Sequence, residues 1–287
     1  MDDGDFRQLV WDHYRRHGRQ FSWRSDTSPY RVHVSELMLQ QTQTQRVAPA
    51  FERFIQRFPD YRSLAEASLS DVIDVWQGLG YNRRARFLKQ AAEILVRDHQ
   101  SVLPADEARL KDLPGIGPNT AASILAFAFN LPTVFVETNI RTVFLHHYFP
   151  ESQASDREIL PLVARTVDQS HPREWYWALM DYGVHLKKTI GNVSRRSSHY
   201  LVQSRFTGSV RQVRGEILRV LLASRESGQT RAPADLQTET FEGLNKSIPH
   251  GPGDPGPESA DRYQRALSGL IRDGMVMERE HGYCLPD

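Results

Sequence analysis

Two glutamates in this chain stand where glutamate is not the ordinary choice. Glu36 lies in the stretch VSELMLQQTQ, strongly helical in character, with Val34, Leu37, Met38 and Leu39 around it. A lone helical glutamate is usually a solvated one. A carboxyl set into an apolar wall, however, resists ionisation and can give up a proton near neutral pH. Glu137 follows the short apolar, β-branched run 133–136 and precedes a helix. A negative charge suits a helix N-terminus. Yet glutamate is a poor N-cap beside Asp, Ser, Thr or Asn, and Thr138 is available to cap instead. Two carboxylates are what cleavage of a glycosidic bond requires: one protonates the leaving group and the other stabilises or captures the positive charge that develops on the sugar. An N-glycosidic bond in DNA poses the same problem, with a base as the leaving group.

The stretch 113–121, LPGIGPNTA, is too rich in glycine and proline for a helix interior. It reads either as a plain turn between two helices or as a hairpin whose glycines, Gly115 and Gly117, let backbone N–H groups approach a phosphate. Basic residues cluster at Arg83, Arg84, Arg86 and Lys89, at Lys187, Lys188, Arg195 and Arg196, and at Arg211 and Arg214. Three such clusters favour a positive track for a nucleic-acid backbone.

Helices must position these groups. Apolar spacing predicts helices over 5–17, 63–76, 84–98, 139–148, 157–170 and 173–186, and a long one from Tyr30 restarted near Pro49. A short polar helix over 106–112 leads into the 113–121 turn. The run 120–129 is almost wholly apolar, as a buried central helix would be. After about residue 187 the composition shifts. A last unit reads as helices at 209–224 and 259–272 flanking a polar segment, then a hairpin over MVMEREHGYCL, in the manner of a winged-helix module. The loop 248–258 reads as a flexible connection.

Hydrophobic content of 39% supports a real core, and a net charge of +1 leaves partner choice to local clustering. The lone Cys284 excludes an internal disulfide, a cysteine-rich zinc site and a four-cysteine iron–sulfur cluster. The charged N-terminal stretch is no signal peptide, and no run approaches the roughly 18 apolar residues of a membrane span. A cytoplasmic, intracellular, membrane-free location is therefore the expectation.

Residues from about 20 to 186 resemble the helix-hairpin-helix (HhH-GPD, endonuclease III) DNA glycosylase superfamily, most closely its MutY-type adenine glycosylases. Trp23-Arg24, Pro29-Tyr30, VSELMLQQTQ, FERFIQRFP, GLGYNRRAR, LPGIGPNTAA and WALMDYG fall in the family's order and spacing. The resemblance implies a mostly α, two-lobed fold with double-stranded DNA carrying a mismatch or lesion as partner, acting as a monomer. It makes Glu36 the catalytic acid/base and places Glu137 on the family's catalytic aspartate. Trp23, Arg24 and Leu39 fall on the wall of the base pocket. Gln41 and Tyr81 fall on the residues that wedge into the duplex when a nucleotide is flipped out. The DNA backbone would meet Gly115, Gly117, Thr120, Arg83 and Arg84, and such a hairpin often holds a monovalent cation.

The chain departs from the pattern in four places. Glu137 carries one methylene more than the family's aspartate. Asn119 stands where bifunctional relatives have the Schiff-base lysine; asparagine cannot form that imine, so hydrolysis without lyase chemistry is expected. Lys187, Ser194, Ser197 and Gln203 occupy the spacing of the four cluster cysteines, as in clusterless members; His185 and His199 nearby are weak evidence for zinc. No cofactor and no metal are therefore expected. The C-terminal part does not look like the domain that recognises 8-oxoguanine, although Arg262, Arg265 and Arg272 offer it a DNA-facing helix. The expected organisation is a glycosylase domain at 1–187, an irregular basic segment at 188–208 and a winged-helix-like module at 209–287. The expected activity is monofunctional removal of adenine opposite 8-oxoguanine or guanine. The rivals are the same chemistry on mismatched thymine, uracil or a damaged base, or non-catalytic lesion binding.

Overall fold

A computed structural model describes residues 2–198, 205–225, 230–247 and 257–287. The loop expected at 248–258 lies largely outside them, and His199 and the cluster-spacing residue Gln203 lie outside them. The described chain is mostly helical and divides into two compact units that do not follow chain order: Met1–Leu37 with Leu103–Val202, and Met38–Val102 with Gln203–Asp287.

The first unit contains α1 (Asp3–His17), α2 (Ser22–Ser25), most of α3 (Pro29–Leu39), α8 (Glu107–Lys111), α9 (Pro118–Phe129), α10 (Thr138–Tyr148), α11 (Asp156–Thr166), α12 (Pro172–Thr189) and a 3-10 turn, Val193–Arg196. α10 packs on α12, and α12 on α1. Phe6, Val10, Phe144, Leu145, Trp175 and Tyr176 are fully buried between them. Phe6 meets Phe144, Tyr148 and Trp175 edge-on or tilted, the geometry that ring quadrupoles favour. Gly183 on α12 is needed for this contact. A Cβ there would stand 2.3 Å from the Asn139 carbonyl oxygen on α10.

The second unit contains α4 (Thr44–Arg57), α5 (Tyr61–Glu66), α6 (Leu69–Trp76), α7 (Arg83–Asp98), α13 (Val210–Arg225), α14 (Pro233–Ser247), α15 (Pro257–Arg272) and the antiparallel hairpin of β1 (Met277–Arg279) with β2 (Gly282–Cys284). Helix, helix, helix, hairpin is the order expected of the C-terminal segment. Its core is shared with α6: Leu69 and Ile73 are buried together with Val213, Ile217, Leu221, Tyr263, Leu267, Leu270 and Met275.

Local chemistry moved several boundaries. The long helix from Tyr30 breaks at 40–43, and Pro49 stays inside α4. Burial of Val47, Ala50, Phe51 and Phe54 at helical spacing outweighs the missing N–H. The single helix expected over 63–76 is two. Ser68 caps α6 in a capping box, accepting from the Asp71 N–H at 3.0 Å. The run 133–136 forms no strand, since no strand among the described residues lies beside it to complete a ladder; Phe135 and Val136 are simply buried.

Candidate active site

In the first unit Glu36 sits on α3 and is partly exposed. Its Oε2 accepts a 2.5 Å hydrogen bond from the Ser123 hydroxyl on α9. Ser123 also lies 3.0 Å from the Thr120 carbonyl oxygen. A hydroxyl has one proton, so it donates to Thr120 when Glu36 is protonated and to Glu36 when it is ionised. Burial pushes the Glu36 carboxyl up to about 7, the Ser123 hydrogen bond opposing and the nearby Glu137 charge adding to the rise. Such a group is half protonated at neutral pH, the condition for a general acid.

Glu137 is the N-cap of α10. Its Oε1 accepts from the backbone N–H groups of Asn139 at 2.7 Å and Ile140 at 2.8 Å. The expectation that Thr138 caps instead is thus overturned. The extended backbone at Glu137, φ −111° and ψ 175°, folds its longer side chain back onto the first turn. The Asn139 side-chain amide donates to Oε2 at 3.2 Å, and Lys187 Nζ in turn donates to Asn139 Oδ1 at 2.7 Å. Burial holds the Lys187 amine below its usual range, against the opposing pull of Glu137. Two carboxylates therefore lie near one another, Glu36 raised by burial and by the Glu137 charge, and Glu137 bonded to the N–H groups of a helix N-terminus.

Asn119, in the first turn of α9, is exposed and donates to the Val136 carbonyl oxygen at 3.1 Å. It braces the segment that carries Glu137 and does not bond Glu137 itself. In the hairpin, Gly115 has φ +83°, a conformation that side chains rarely adopt. Gly117 is extended, and a Cβ on it would meet no protein atom within 4 Å. The protein alone does not require glycine there; a ligand approaching the backbone would. Thr120 is half-buried one turn into α9.

Arg24, expected on the wall of the base pocket, turns its donors to the protein. Its side chain is buried, and its guanidinium makes a two-pronged contact with Asp181 of α12, both distances 2.9 Å, while also donating to the Arg19 carbonyl oxygen at 3.0 Å. Burial would raise the Asp181 carboxyl, but Arg24 and Arg19 outweigh it and hold it below its ordinary value. Trp23 is buried and stacked on Phe21 at 4.8 Å. Leu39, the last residue of α3, is half-buried.

In the second unit the two wedge candidates share an unusual backbone. Gln41 has φ +54° and Tyr81 φ +46°, the left-handed region that costs a non-glycine residue free energy. Arg84 ties their loops together. Its guanidinium donates to the carbonyl oxygens of Met38 at 2.8 Å, Gln40 at 2.6 Å and Gly80 at 3.0 Å, and to the Thr42 hydroxyl at 2.9 Å. Arg84 is buried, which lowers its pKa to about 10, still fully charged at neutral pH. The expectation that Arg84 grips a DNA phosphate therefore fails, since its donors point inward to carbonyls. Arg83 remains exposed and pairs with Asp273 at 3.3 Å. On α15, Arg262 donates to the Gly208 carbonyl oxygen at 2.7 Å and Arg265 pairs with Asp261 at 2.6 Å.

The residues at the cluster spacing do not fit an iron–sulfur cluster. Lys187 is bonded to Asn139, the Ser194 hydroxyl to Asn192, and the Ser197 backbone bridges to Ala154. None offers a thiolate. Arg196 holds this segment by donating to the carbonyl oxygens of Leu145, Phe149 and Pro150 at the C-terminal end of α10. Among the described residues no three His, Cys, Asp or Glu side chains are grouped so as to hold a metal ion, and no helix is long and apolar enough to cross a membrane.

Sequence reasoning passed over Ser123, Asp181, Asn139 and the inward role of Arg84. Ser123 had a signal: it is the polar residue within the apolar run AASILAFAF, one helical turn after Thr120. Asp181 had one too, as a carboxylate amid the aromatic and aliphatic residues of α12.

The family model described as HhH-GPD superfamily base excision DNA repair protein matches residues 34–168. The adenine DNA glycosylase of Mycobacterium tuberculosis (strain ATCC 25618 / H37Rv) is 32% identical over 98% of this chain and 93% of its own length. That of Buchnera aphidicola subsp. Baizongia pistaciae is 34% identical over 62% of this chain, which spans only 52% of that protein. Among solved structures, a thermostable thymine-DNA glycosylase aligns with TM-score 0.57 at 21% identity, over 63% of this chain and 85% of its own. An endonuclease III–DNA complex aligns with TM-score 0.54 at 17% identity, over 73% and 92%. At these identities the solved structures speak to the fold alone.

Proposed function

The chain belongs to the HhH-GPD superfamily of base excision DNA repair proteins, and from that premise we propose that it is a monofunctional adenine DNA glycosylase. The observation that carries the reading is the pair of carboxylates: Glu36 raised to about 7 and bonded to Ser123, with Glu137 held at the N-terminus of α10.

The reaction runs on double-stranded DNA with adenine opposite 8-oxoguanine or guanine, flipped from the stack. Protonated Glu36 gives its proton to a ring nitrogen of the base, and the N-glycosidic bond breaks with its electron pair leaving on the base. The Ser123 hydroxyl then turns from Thr120 to the new carboxylate, which is stabilised without reorganising the helix. Glu137 presents a fixed negative charge to the sugar cation. Ionised Glu36 takes a proton from the attacking water, and the product is an abasic site. Asn119 offers no amine, so no imine forms at that position. Gly115, Gly117, Thr120 and the first turn of α9 bind backbone phosphate, and the hairpin carbonyls would be the ligands of any monovalent cation held there. Gln41 and Tyr81 enter the duplex. Trp23 supplies apolar wall for the base, and Arg24 is held beside it by Asp181.

A panel of duplexes, each carrying one mismatch or lesion, tests this after alkaline cleavage of abasic sites. Adenine opposite 8-oxoguanine should be released, and Glu36→Gln should abolish release while sparing binding. Release only of thymine, uracil or a damaged base would replace the adenine assignment, and no release from any duplex would leave a lesion-binding protein. Borohydride trapping should give no adduct.

A further inference from the structure

Among the described residues, Arg211 of the C-terminal segment reaches the Tyr81 wedge. Arg211 lies in the first turn of α13, within the same compact unit as Tyr81. Its Nη1 donates to the Tyr81 hydroxyl at 2.6 Å, and its guanidinium carbon stands over the Tyr81 ring, 5.2 Å from the centroid. The Arg84 guanidinium also lies over that ring, at 5.5 Å. Tyr81 is therefore held at both ends. Arg84 fixes its strained backbone through the Gly80 carbonyl, and Arg211 fixes the ring and its hydroxyl. The two anchors differ in kind. Arg84 is buried and belongs to the GLGYNRRAR motif, whereas Arg211 is half-buried and lies far along the chain, beyond residues 34–168 that the family model matches.

A wedge works only if its ring enters the stack in one orientation, since the ordering cost is then met before DNA arrives. Tyrosine has a free χ1 and χ2 on a surface turn. A stacked, hydrogen-bonded guanidinium removes that freedom. It also brings positive charge to the place where the ring meets the duplex, and a guanidinium that stacks on tyrosine can stack on a base as well.

We propose that Arg211 is a positioning residue for the DNA wedge, through which the C-terminal segment sets the orientation of Tyr81 for nucleotide flipping. This rests on the glycosylase reading for the role of Tyr81.

The test is a double-mutant cycle on the full chain with Arg211→Ala, Tyr81→Phe, Tyr81→Ala and their combinations. Two readouts are followed: single-turnover adenine release, and unstacking of 2-aminopurine placed next to the target base, which needs no excision. Arg211→Ala should slow both by about 10-fold, the loss of a stacked, hydrogen-bonded cation–π pair. Its effect should vanish in the Tyr81→Ala background, because the two residues act as one unit. Tyr81→Phe should slow flipping in the parent and add nothing to Arg211→Ala. Arg211→Lys should recover part of the rate but not all, since an ammonium keeps the charge without the planar stack. Losses that multiply in the double variants, with a salt slope reduced by about 1, would show Arg211 to be a phosphate contact and overturn the proposal. If Arg211→Ala melts early, Tyr81→Phe still decides, because it deletes only the accepted hydrogen bond. Should the parent release no base from any duplex, the glycosylase reading falls, while the 2-aminopurine signal still reports whether Arg211 acts through Tyr81.

Discussion

Replacing Ser123 with alanine tests the protonation chemistry directly. The Ser123 hydroxyl donates to Glu36 Oε2 at 2.5 Å and favours the ionised form. A hydrogen bond to a charged group is worth about 1.5–3 kcal/mol, equivalent to roughly 1–2 pKa units. The gain is smaller here, because protonated Glu36 can itself donate to the same oxygen while Ser123 turns to Thr120. A rise of about one unit is expected, carrying the Glu36 midpoint from about 7 to near 8. At pH 8 the protonated fraction would then climb from about a tenth to about a half. The alkaline limb of the single-turnover rate should move up by the same unit, and NMR titration of labelled Glu36 should follow it. Stability carries the same sign. The folded pKa lies above the ordinary glutamate value of 4.5, so the Glu36 contribution is fully present below about 4.5 and is lost as pH rises through about 7. In the variant that loss should continue to about pH 8, deepening by roughly 1 kcal/mol. A limb that stays in place, or moves toward acid, would refute Ser123 as the donor that sets Glu36.

Glu137→Gln separates capping from charge: the amide oxygen still accepts from Asn139 and Ile140, so stability should fall by less than about 1 kcal/mol. Base release should nevertheless fall by about 100-fold or more, and the Glu36 limb should shift toward acid as the like charge disappears; an unimpaired rate would remove Glu137 from the chemistry. Gly183→Ala drives a methyl to within 2.3 Å of the Asn139 carbonyl oxygen, which cannot swing aside as a side chain would. Thermal melting should show a loss of about 1–3 kcal/mol, with base release reduced as the Asn139–Glu137 pair is displaced; melting unchanged from the parent would show that α10 and α12 separate freely.

The sequence by itself determined the helical character, most helix boundaries and the family. Each of these depends on residues within a turn or two of one another: apolar spacing, glycine and proline punctuation, and the ordered motifs from VSELMLQQTQ to WALMDYG. It also placed a hairpin where Gly115 takes φ +83°. Tertiary structure alone decided where the charges go. Arg24 reads as base-pocket wall and Arg84 as a DNA-backbone contact, yet one is bound to Asp181 and the other to the carbonyls of two strained loops. Glu36 reads as an acid from its motif, but its burial, which carries it up to about 7, and its Ser123 partner on α9 are set by the packing. Glu137 became the cap that its residue type argued against, because the extended backbone before α10 gave the extra methylene somewhere to fold. The physical reason is the same in each case. A long charged side chain has several low-energy directions, and which one it takes is set by partners far away in the chain, for which local spacing carries no signal.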